Sequence, residues 1–388
     1  MLKILYVSPY FPYYSKGGGG ALSFNRIKSL SKFAKVDLLF LTNEKNFDRY
    51  EKELKNIVRE FDYVINKNSD SIKNIFLYFP FKSLKESFVF SKKFVKILKE
   101  KISQNKYDII WFNHERTFQY SNYIKPAKKI VELHDATSER HKKIFLKTRN
   151  PFLKIIHIYE FFKLKNIERK IIRFSNGVIV TTEEEKQKLH NKRKVYAFAF
   201  CPDIKHPDPD SRKEKIILYM GDLSYFPNVD ALFYFVNNIF PHIKEKIRDI
   251  KFWIAGVSEN EKIRRLHDGK NIFFKGFIPS LDELHSKVKV LVVPLRLGTG
   301  IRIKILEAMA RRIPVVSTKI GCEGIKGLKN RVNIMLADEP LEFAKSTVEL
   351  LRNDELAQKI SEGGFDIIKK YYSEEKLQEI VKDILNSN

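Results

Sequence analysis

The sequence predicts an α/β protein built from two doubly wound, Rossmann-like domains that face each other across a cleft. Three observations lead there. A chain of 388 residues is longer than one hydrophobic core ordinarily fills. In both halves, short β-rich apolar runs alternate with amphipathic stretches, the pattern of parallel strands joined by helical crossovers. The alternation breaks once, at Cys201-Pro-Asp-Ile-Lys-His-Pro-Asp-Pro-Asp-Ser211, where three prolines among polar residues end one pattern just before another begins.

The strands of the first half fall at Lys3 to Val7, Val36 to Leu41, Tyr107 to Phe112, Lys129 to Leu133 and Gly177 to Thr181. Those of the second half fall at Lys215 to Met220, Lys251 to Ala255, Ile272 to Lys275, Val288 to Pro294 and Pro314 to Ser317. The linker lies at about 201 to 213. It separates a first domain, 1–205, from a second, 206–371, and residues 372–388 form a helix expected to pack back on the first. Ligands of open α/β sheets sit at the carboxyl ends of strands, so the loops after strands are where chemistry is expected, and the cleft is the expected active site.

Composition narrows the class. Hydrophobic residues make up 43% and charged residues 31%, as in an ordinary globular protein. Cys201 and Cys322 lie far apart in no metal-binding spacing, so they read as reduced, buried thiols suited to a cytoplasmic setting. Pro9 and Pro12 interrupt the N-terminal apolar stretch, which is too short for a signal peptide, and no apolar run approaches the roughly 20 residues that span a bilayer. The formal net charge of +25 is uneven: residues 1–200 hold 41 Lys and Arg against 20 Asp and Glu, and the remainder 31 against 27.

The most specific stretch is Pro294-Leu-Arg-Leu-Gly-Thr-Gly-Ile-Arg-Ile-Lys-Ile-Leu-Glu-Ala-Met-Ala-Arg-Arg-Ile-Pro-Val-Val-Ser-Thr318. It reads as strand, glycine loop, helix, strand, with Gly298 and Gly300 letting backbone amides approach a ligand where the helix begins. Arg302 and Lys304 open that helix, where cations repel the helix dipole unless an anion sits between them; a diphosphate fits. Glu307, three residues after Lys304, reads either as half of an exposed Lys–Glu pair or as a ligand-binding carboxylate.

This segment, with Leu306-Glu-Ala-Met-Ala310 followed by Pro314-Val-Val, resembles glycosyltransferase family 4. The resemblance runs from about Ile216 to Tyr372 and more weakly through the first half. It implies a GT-B fold, a nucleotide-sugar donor, and transfer with retention at the anomeric carbon. It makes Glu307 a ribose ligand and Gly298, Thr299, Gly300 and Ile301 a donor-binding loop. The family usually has a sugar-contacting glutamate eight positions before the ribose glutamate; here that position is Thr299. At Met220-Gly-Asp-Leu-Ser-Tyr-Phe-Pro-Asn-Val-Asp230, two family cations that grip the diphosphate are replaced by Asp222 and Pro227, leaving Arg302 and Lys304 as their substitutes. The combination resembles a branch with Pro-Asn-Val-Asp in one loop and Gly-x-Gly-x-Arg-x-Lys in the other. Gly276, Phe277 and Ile278, in Phe274-Lys-Gly-Phe-Ile-Pro279, read either as backbone beside the nucleotide base or as a simple turn.

In the first half, Ser15-Lys-Gly-Gly-Gly-Gly-Ala21 follows the first strand and precedes the amphipathic stretch Leu22 to Phe33. Its glycines, Gly18 and Gly19 among them, allow backbone to approach donor and acceptor; a flexible loop is the plainer reading. His134 and Asp135 stand at the end of a strand, where the family commonly has a histidine touching the transferred sugar. There is no clustered Asp-x-Asp before a phosphate loop and no His/Cys set, so neither metal nor cofactor is expected.

The acceptor is expected to be a glycan or lipid-linked precursor, in line with a peripheral position on the inner membrane face. From Arg140 to Phe174 there are 11 Lys and Arg against 2 Asp and Glu, interleaved with Phe145, Phe152, Tyr159, Phe161 and Phe162, a composition suited to an anionic membrane surface. No nucleic-acid module accompanies it. A metal-independent hexosyltransferase is the leading expectation; a catalytically altered nucleotide-sugar-binding protein, or an epimerase or hydrolase of similar architecture, is the alternative.

Overall fold

The computed structural model describes residues 1–13, 18–43, 48–66, 68–79, 81–124, 127–134, 137–189, 194–204, 214–278, 287–298 and 300–387. The chain forms two units, Met1–Cys201 with Glu374–Asn388, and Pro202–Ser373.

The first unit holds a parallel sheet of β1 (Leu2–Ser8), β2 (Ala34–Thr42), β3 (Glu60–Ile65), β4 (Ile109–Asn113), β5 (Lys128–Leu133), β6 (Gly177–Val180) and β7 (Val195–Ala197), in the order β3-β2-β1-β4-β5-β6-β7. The second unit repeats the plan with β8 (Ile216–Met220), β9 (Lys251–Ala255), β10 (Ile272–Gly276), β11 (Val290–Val293), β12 (Val315–Ser317) and β13 (Met335–Leu336), in the order β10-β9-β8-β11-β12-β13. Both are doubly wound sheets of the expected GT-B type. Each reverses its winding once, between β1 and β4 and between β8 and β11, and a crevice opens at the carboxyl ends of strands at such a switch point.

Helices on both faces bury the central strands completely, which is why Ile4 to Val7 and Ile109 to Phe112 read as unbroken apolar runs. The strands the sequence did not announce are β3, β7 and β13, and all three are sheet edges. With a neighbour on one side only, β3 leaves Glu60, Asp62, Tyr63 and Ile65 exposed, so its pattern is too polar to read. β7 and β13 are three and two residues long.

The C-terminal helix Glu374–Asn386 belongs to the first unit and buries Leu377, Ile380, Val381 and Ile384 in its core. It runs so close to β6 that a Cβ on Gly177 would lie 2.5 Å from Ile384, which accounts for that glycine. Both cysteines are free and buried, and burial pushes their thiols up to about 12 for Cys201 and about 11 for Cys322.

Beneath the carboxyl end of β5 lies a buried ion pair. The Arg26 guanidinium, from the helix Gly18–Ser31, donates to Glu132 Oε1 at 2.9 and 3.1 Å and to the Phe198 and Ala199 carbonyls at 2.9 and 3.1 Å. Trp111 Nε1 donates to Glu132 Oε2 at 3.1 Å. Burial alone would raise the Glu132 carboxyl, but the Arg26 charge, His134 and the hydrogen bonds from Arg26 and Trp111 together hold the group below the usual carboxylate range. Arg26→Ala leaves that carboxylate buried without its counter-ion, at a cost of about 3–5 kcal/mol. Urea unfolding of the variant checks this; a loss below about 1 kcal/mol would mean the pair does not secure the helix to the sheet.

Candidate functional site

In the second unit the loops after β8 and β11 meet at the switch point. The β11 loop turns through Gly298 and Gly300, whose φ values of +113° and +85° favour glycine, and delivers the chain to the helix Ile303–Ala310. Arg302 caps that helix without a side-chain bond to it, and a Cβ on Gly298 would stand 2.8 Å from its guanidinium. Thr299 lies outside the described residues, and Ile301 is half-buried.

Arg302 is buried and Lys304 half-buried at this helix start. Burial, then the neighbouring Arg302 charge, pushes the Lys304 ammonium down to about 7. Glu307, one turn on, is buried, and burial pushes its carboxyl up to about 7 against the opposing charge of Arg311. The exposed Lys–Glu pair is not formed. Lys304 Nζ turns instead to Asn228 Oδ1 at 3.2 Å, and no described side chain donates a hydrogen bond to the Glu307 carboxylate.

Asn228 explains the Pro-Asn-Val-Asp sequence. Pro227 starts the helix Phe226–Tyr234, where a missing N–H is tolerated, and presents Asn228 one residue later. Asn228 Nδ2 donates to the Asp222 carbonyl at 2.8 Å, and its own carbonyl accepts from Tyr219 Oη at 2.6 Å. Gly221 leaves the space: a Cβ there would lie 2.7 Å from Lys304 Nζ. Asp222 itself is exposed and accepts from Ser224 N and Oγ at 2.9 and 2.6 Å, closing its turn. Asp230 takes the third cation of the loop, Arg296, at 2.5 Å and 3.1 Å, with the guanidinium 4.4 Å over the Tyr234 ring. Arg302 and Lys304 are thus the pair gathered at the helix start, an arrangement suited to an anion that bridges them. Asn228 was not singled out from the sequence, although the motif carrying it was.

At Gly276, φ is +66° beside a register shift in β10; Phe277 is exposed and Ile278 half-buried. Backbone at this strand end is open enough to meet a flat ring.

In the first unit, Gly18 and Gly19 lie inside the first turn of Gly18–Ser31, so this helix starts four residues before the amphipathic stretch read from the sequence. Tight packing on the preceding chain explains it: a Cβ on Gly19 would lie 2.9 Å from Tyr10 Oη, and one on Gly20 2.5 Å from the Tyr13 carbonyl. His134 is half-buried at the end of β5, with Nε2 2.7 Å from Asn113 Oδ1 at the end of β4. Burial lowers its pKa to about 4, so the ring is neutral at neutral pH. Asp135 lies outside the described residues.

Residues 214–353 match the family model described as "Glycosyl transferases group 1". A Klebsiella pneumoniae protein, "Uncharacterized 44.6 kDa protein in cps region", is 23% identical over 97% of this chain and 98% of its own length. Among solved structures, Staphylococcus aureus TarM in complex with Fondaparinux, alpha-GlcNAc-glycerol and UDP is similar with a TM-score of 0.69 at 17% identity, covering 100% of both chains. Anabaena HepE in complex with UDP gives a TM-score of 0.68 at 14% identity, again over 100% of both. These likenesses establish the GT-B fold, and the family match supports a glycosyltransferase.

The two shifted groups give opposite pH dependences. Free Lys304 loses its proton as pH rises through about 7, so affinity for inorganic diphosphate should fall by up to roughly tenfold per pH unit above that point. Glu307 gains a proton as pH falls through about 7, which weakens its hold on a ribose hydroxyl. Calorimetric titrations between about pH 6 and about pH 8.5 should therefore show the preference for nucleoside diphosphate over inorganic diphosphate growing with pH. A constant ratio would mean that Glu307 does not titrate against the ribose, and an inorganic diphosphate affinity that stays flat across this range would mean that Lys304 does not titrate against the diphosphate.

Proposed function

We propose that the protein is a retaining, metal-independent hexosyltransferase that moves a sugar from a nucleotide diphosphate donor to a glycan or lipid-linked acceptor in polysaccharide biosynthesis. The observation that carries this reading is the gathering of Arg302 and Lys304 at a helix start, one turn before the Glu307 carboxylate. A diphosphate offsets the charge of the first two, and a ribose hydroxyl supplies the donor that Glu307 lacks. UDP in the TarM and HepE structures supports a nucleoside diphosphate ligand, and the cps-region relative supports polysaccharide biosynthesis.

In the mechanism, the acceptor oxygen forms its bond to the anomeric carbon on the face from which the diphosphate departs. The sugar–phosphate bond breaks and the acceptor proton passes to a departing phosphate oxygen. Arg302, Lys304 and the amides around Gly298 and Gly300 stabilise the charge that grows on the diphosphate, the part that a metal ion would otherwise play. His134 engages the transferred sugar, and Gly276 to Ile278 lie beside the base.

The first unit carries a surface suited to a lipid acceptor. On the helices Thr137–Lys147 and Pro151–Phe174, Leu146, Phe152, Ile155 and Phe162 are exposed, and Phe76 and Phe81 are exposed nearby. The two regions adjoin: the Tyr159 ring packs against Phe79 with centroids 5.0 Å apart and planes tilted by 48°, and its hydroxyl donates to the Lys82 carbonyl at 2.9 Å. Apolar side chains among lysines match the interface of an anionic bilayer, and no described helix is long and apolar enough to cross one. This surface supports a peripheral position on the cytoplasmic face of the membrane.

Arg302→Ala and Lys304→Ala should each remove about 2–4 kcal/mol of transition-state stabilisation, a drop in donor turnover of roughly thirtyfold to a thousandfold. Glu307→Ala should weaken nucleoside diphosphate binding and spare inorganic diphosphate. Near-normal turnover in both cation variants would place diphosphate stabilisation elsewhere. Vesicle sedimentation tests the surface: the protein should bind anionic vesicles, release as salt rises, and lose binding in Phe76→Ser with Phe152→Ser. Equal binding to neutral and anionic vesicles would contradict a charge-assisted interface.

A further inference from the structure

We propose that His134 acts through Nδ1, as an acceptor for a sugar hydroxyl, and that Asn113 and His114 are the positioning residues that hold it in the required tautomer and orientation. The inference rests on the reading that His134 meets the transferred sugar, and it assigns functional roles to two residues of β4 and its turn.

The tautomer follows from the hydrogen bonds around Asn113, which is fully buried. Ser8 Oγ donates to the Tyr10 carbonyl at 2.7 Å, and Ser23 Oγ donates to the Gly19 carbonyl at 2.8 Å. With their protons committed, both hydroxyls accept from Asn113 Nδ2, at 3.1 and 2.7 Å. The amide nitrogen therefore faces the serines and Oδ1 faces His134. An acceptor 2.7 Å from Nε2 requires the proton on Nε2, which leaves the lone pair on Nδ1. No described residue hydrogen-bonds to Nδ1.

His114 fixes the face of the same ring. Successive residues of a strand point to opposite sides, so Asn113 and His114 could not both reach one neighbour in regular extended chain. The chain departs from that geometry at His114, with φ +75° and ψ +147°, a conformation that side-chain-bearing residues rarely adopt and that is retained where function needs it. The result is a stack of His114 on His134 with ring centroids 5.7 Å apart and planes 29° from parallel. His114 Nδ1 lies 2.5 Å from Glu115 Oε2, and its backbone N–H donates to the Glu132 carbonyl at 2.8 Å, so the stacked ring is itself held.

The titratable and charged groups facing His134 are Glu132 on its own strand, His114 and Glu115 after β4, and Arg26 from the helix Gly18–Ser31. Burial dominates their balance and keeps the ring neutral, as an acceptor must be.

The test is histidine nitrogen NMR of the full chain, with the His134 signal identified by its loss in His134→Ala. The wild type at neutral pH should show a neutral ring protonated at Nε2; a proton on Nδ1, or an imidazolium, would overturn the proposal. Asn113→Asp, which offers Nε2–H a carboxylate, should raise the His134 pKa by about one unit or more. Asn113→Leu, which leaves Nε2–H without its acceptor and frees the ring to change tautomer, should lower turnover at least about tenfold while nucleoside diphosphate affinity holds within about twofold, the split expected of a group facing the sugar. An unmoved pKa or unchanged turnover would overturn it. His134→Ala separates the two levels: normal turnover there would remove the role of His134, whereas lost turnover with an unmoved pKa in Asn113→Asp would remove only the positioning role.

Discussion

The second unit is organised around an unfavourable placement of charge. The helix Ile303–Ala310 begins with partial positive charge from its unpaired amides, and the chain adds a guanidinium and an ammonium at that end. Each such cation costs about 0.3–1 kcal/mol against the dipole, and burial raises the penalty. The neighbouring residues make the placement possible. Gly298 and Gly300 turn the chain, Gly221 clears room for the ammonium, Asn228 supplies a neutral acceptor rather than a counter-charge, and Asp230 draws Arg296 aside. An acidic residue in place of Asn228 would neutralise Lys304 and leave less for a ligand to do.

The first unit treats charge in the opposite way. Arg26 and Glu132 neutralise each other under the sheet, and Ser8, Ser23, Asn113 and the neutral His134 ring gather above them, with Glu115 beside that ring. At these places the second unit gathers two cations at a helix start, and the first pairs its buried arginine with a carboxylate.

The central strands were legible because burial on both faces demands continuous apolar runs, and ten strands stand where those runs lie. The edges β3, β7 and β13 escaped because one-sided pairing relaxes that demand. In the site, Gly298, Gly300, Arg302, Lys304 and Glu307 could be read together because a single loop and helix carry them. Asn113, His114 and Asn228 could not. Asn113 meets Ser8 across 105 residues of chain, and Asn228 meets Lys304 across 76, contacts created by sheet order rather than by local spacing. The strained backbone of His114 has no counterpart in residue type, since histidine gives no sign of a positive φ. Gly18 and Gly19 were read as backbone that approaches donor and acceptor; the packing of Gly19 against Tyr10 and of Gly20 against the Tyr13 carbonyl could not be read from the sequence.

The most direct test of this account is a crystal structure with a nucleoside diphosphate bound. It predicts the diphosphate at the start of the helix Ile303–Ala310, within hydrogen-bonding distance of the Arg302 guanidinium and Lys304 Nζ, with both ribose hydroxyls donating to Glu307. A diphosphate seated away from that helix, with Lys304 still on Asn228 and Glu307 free of the ribose, would contradict it.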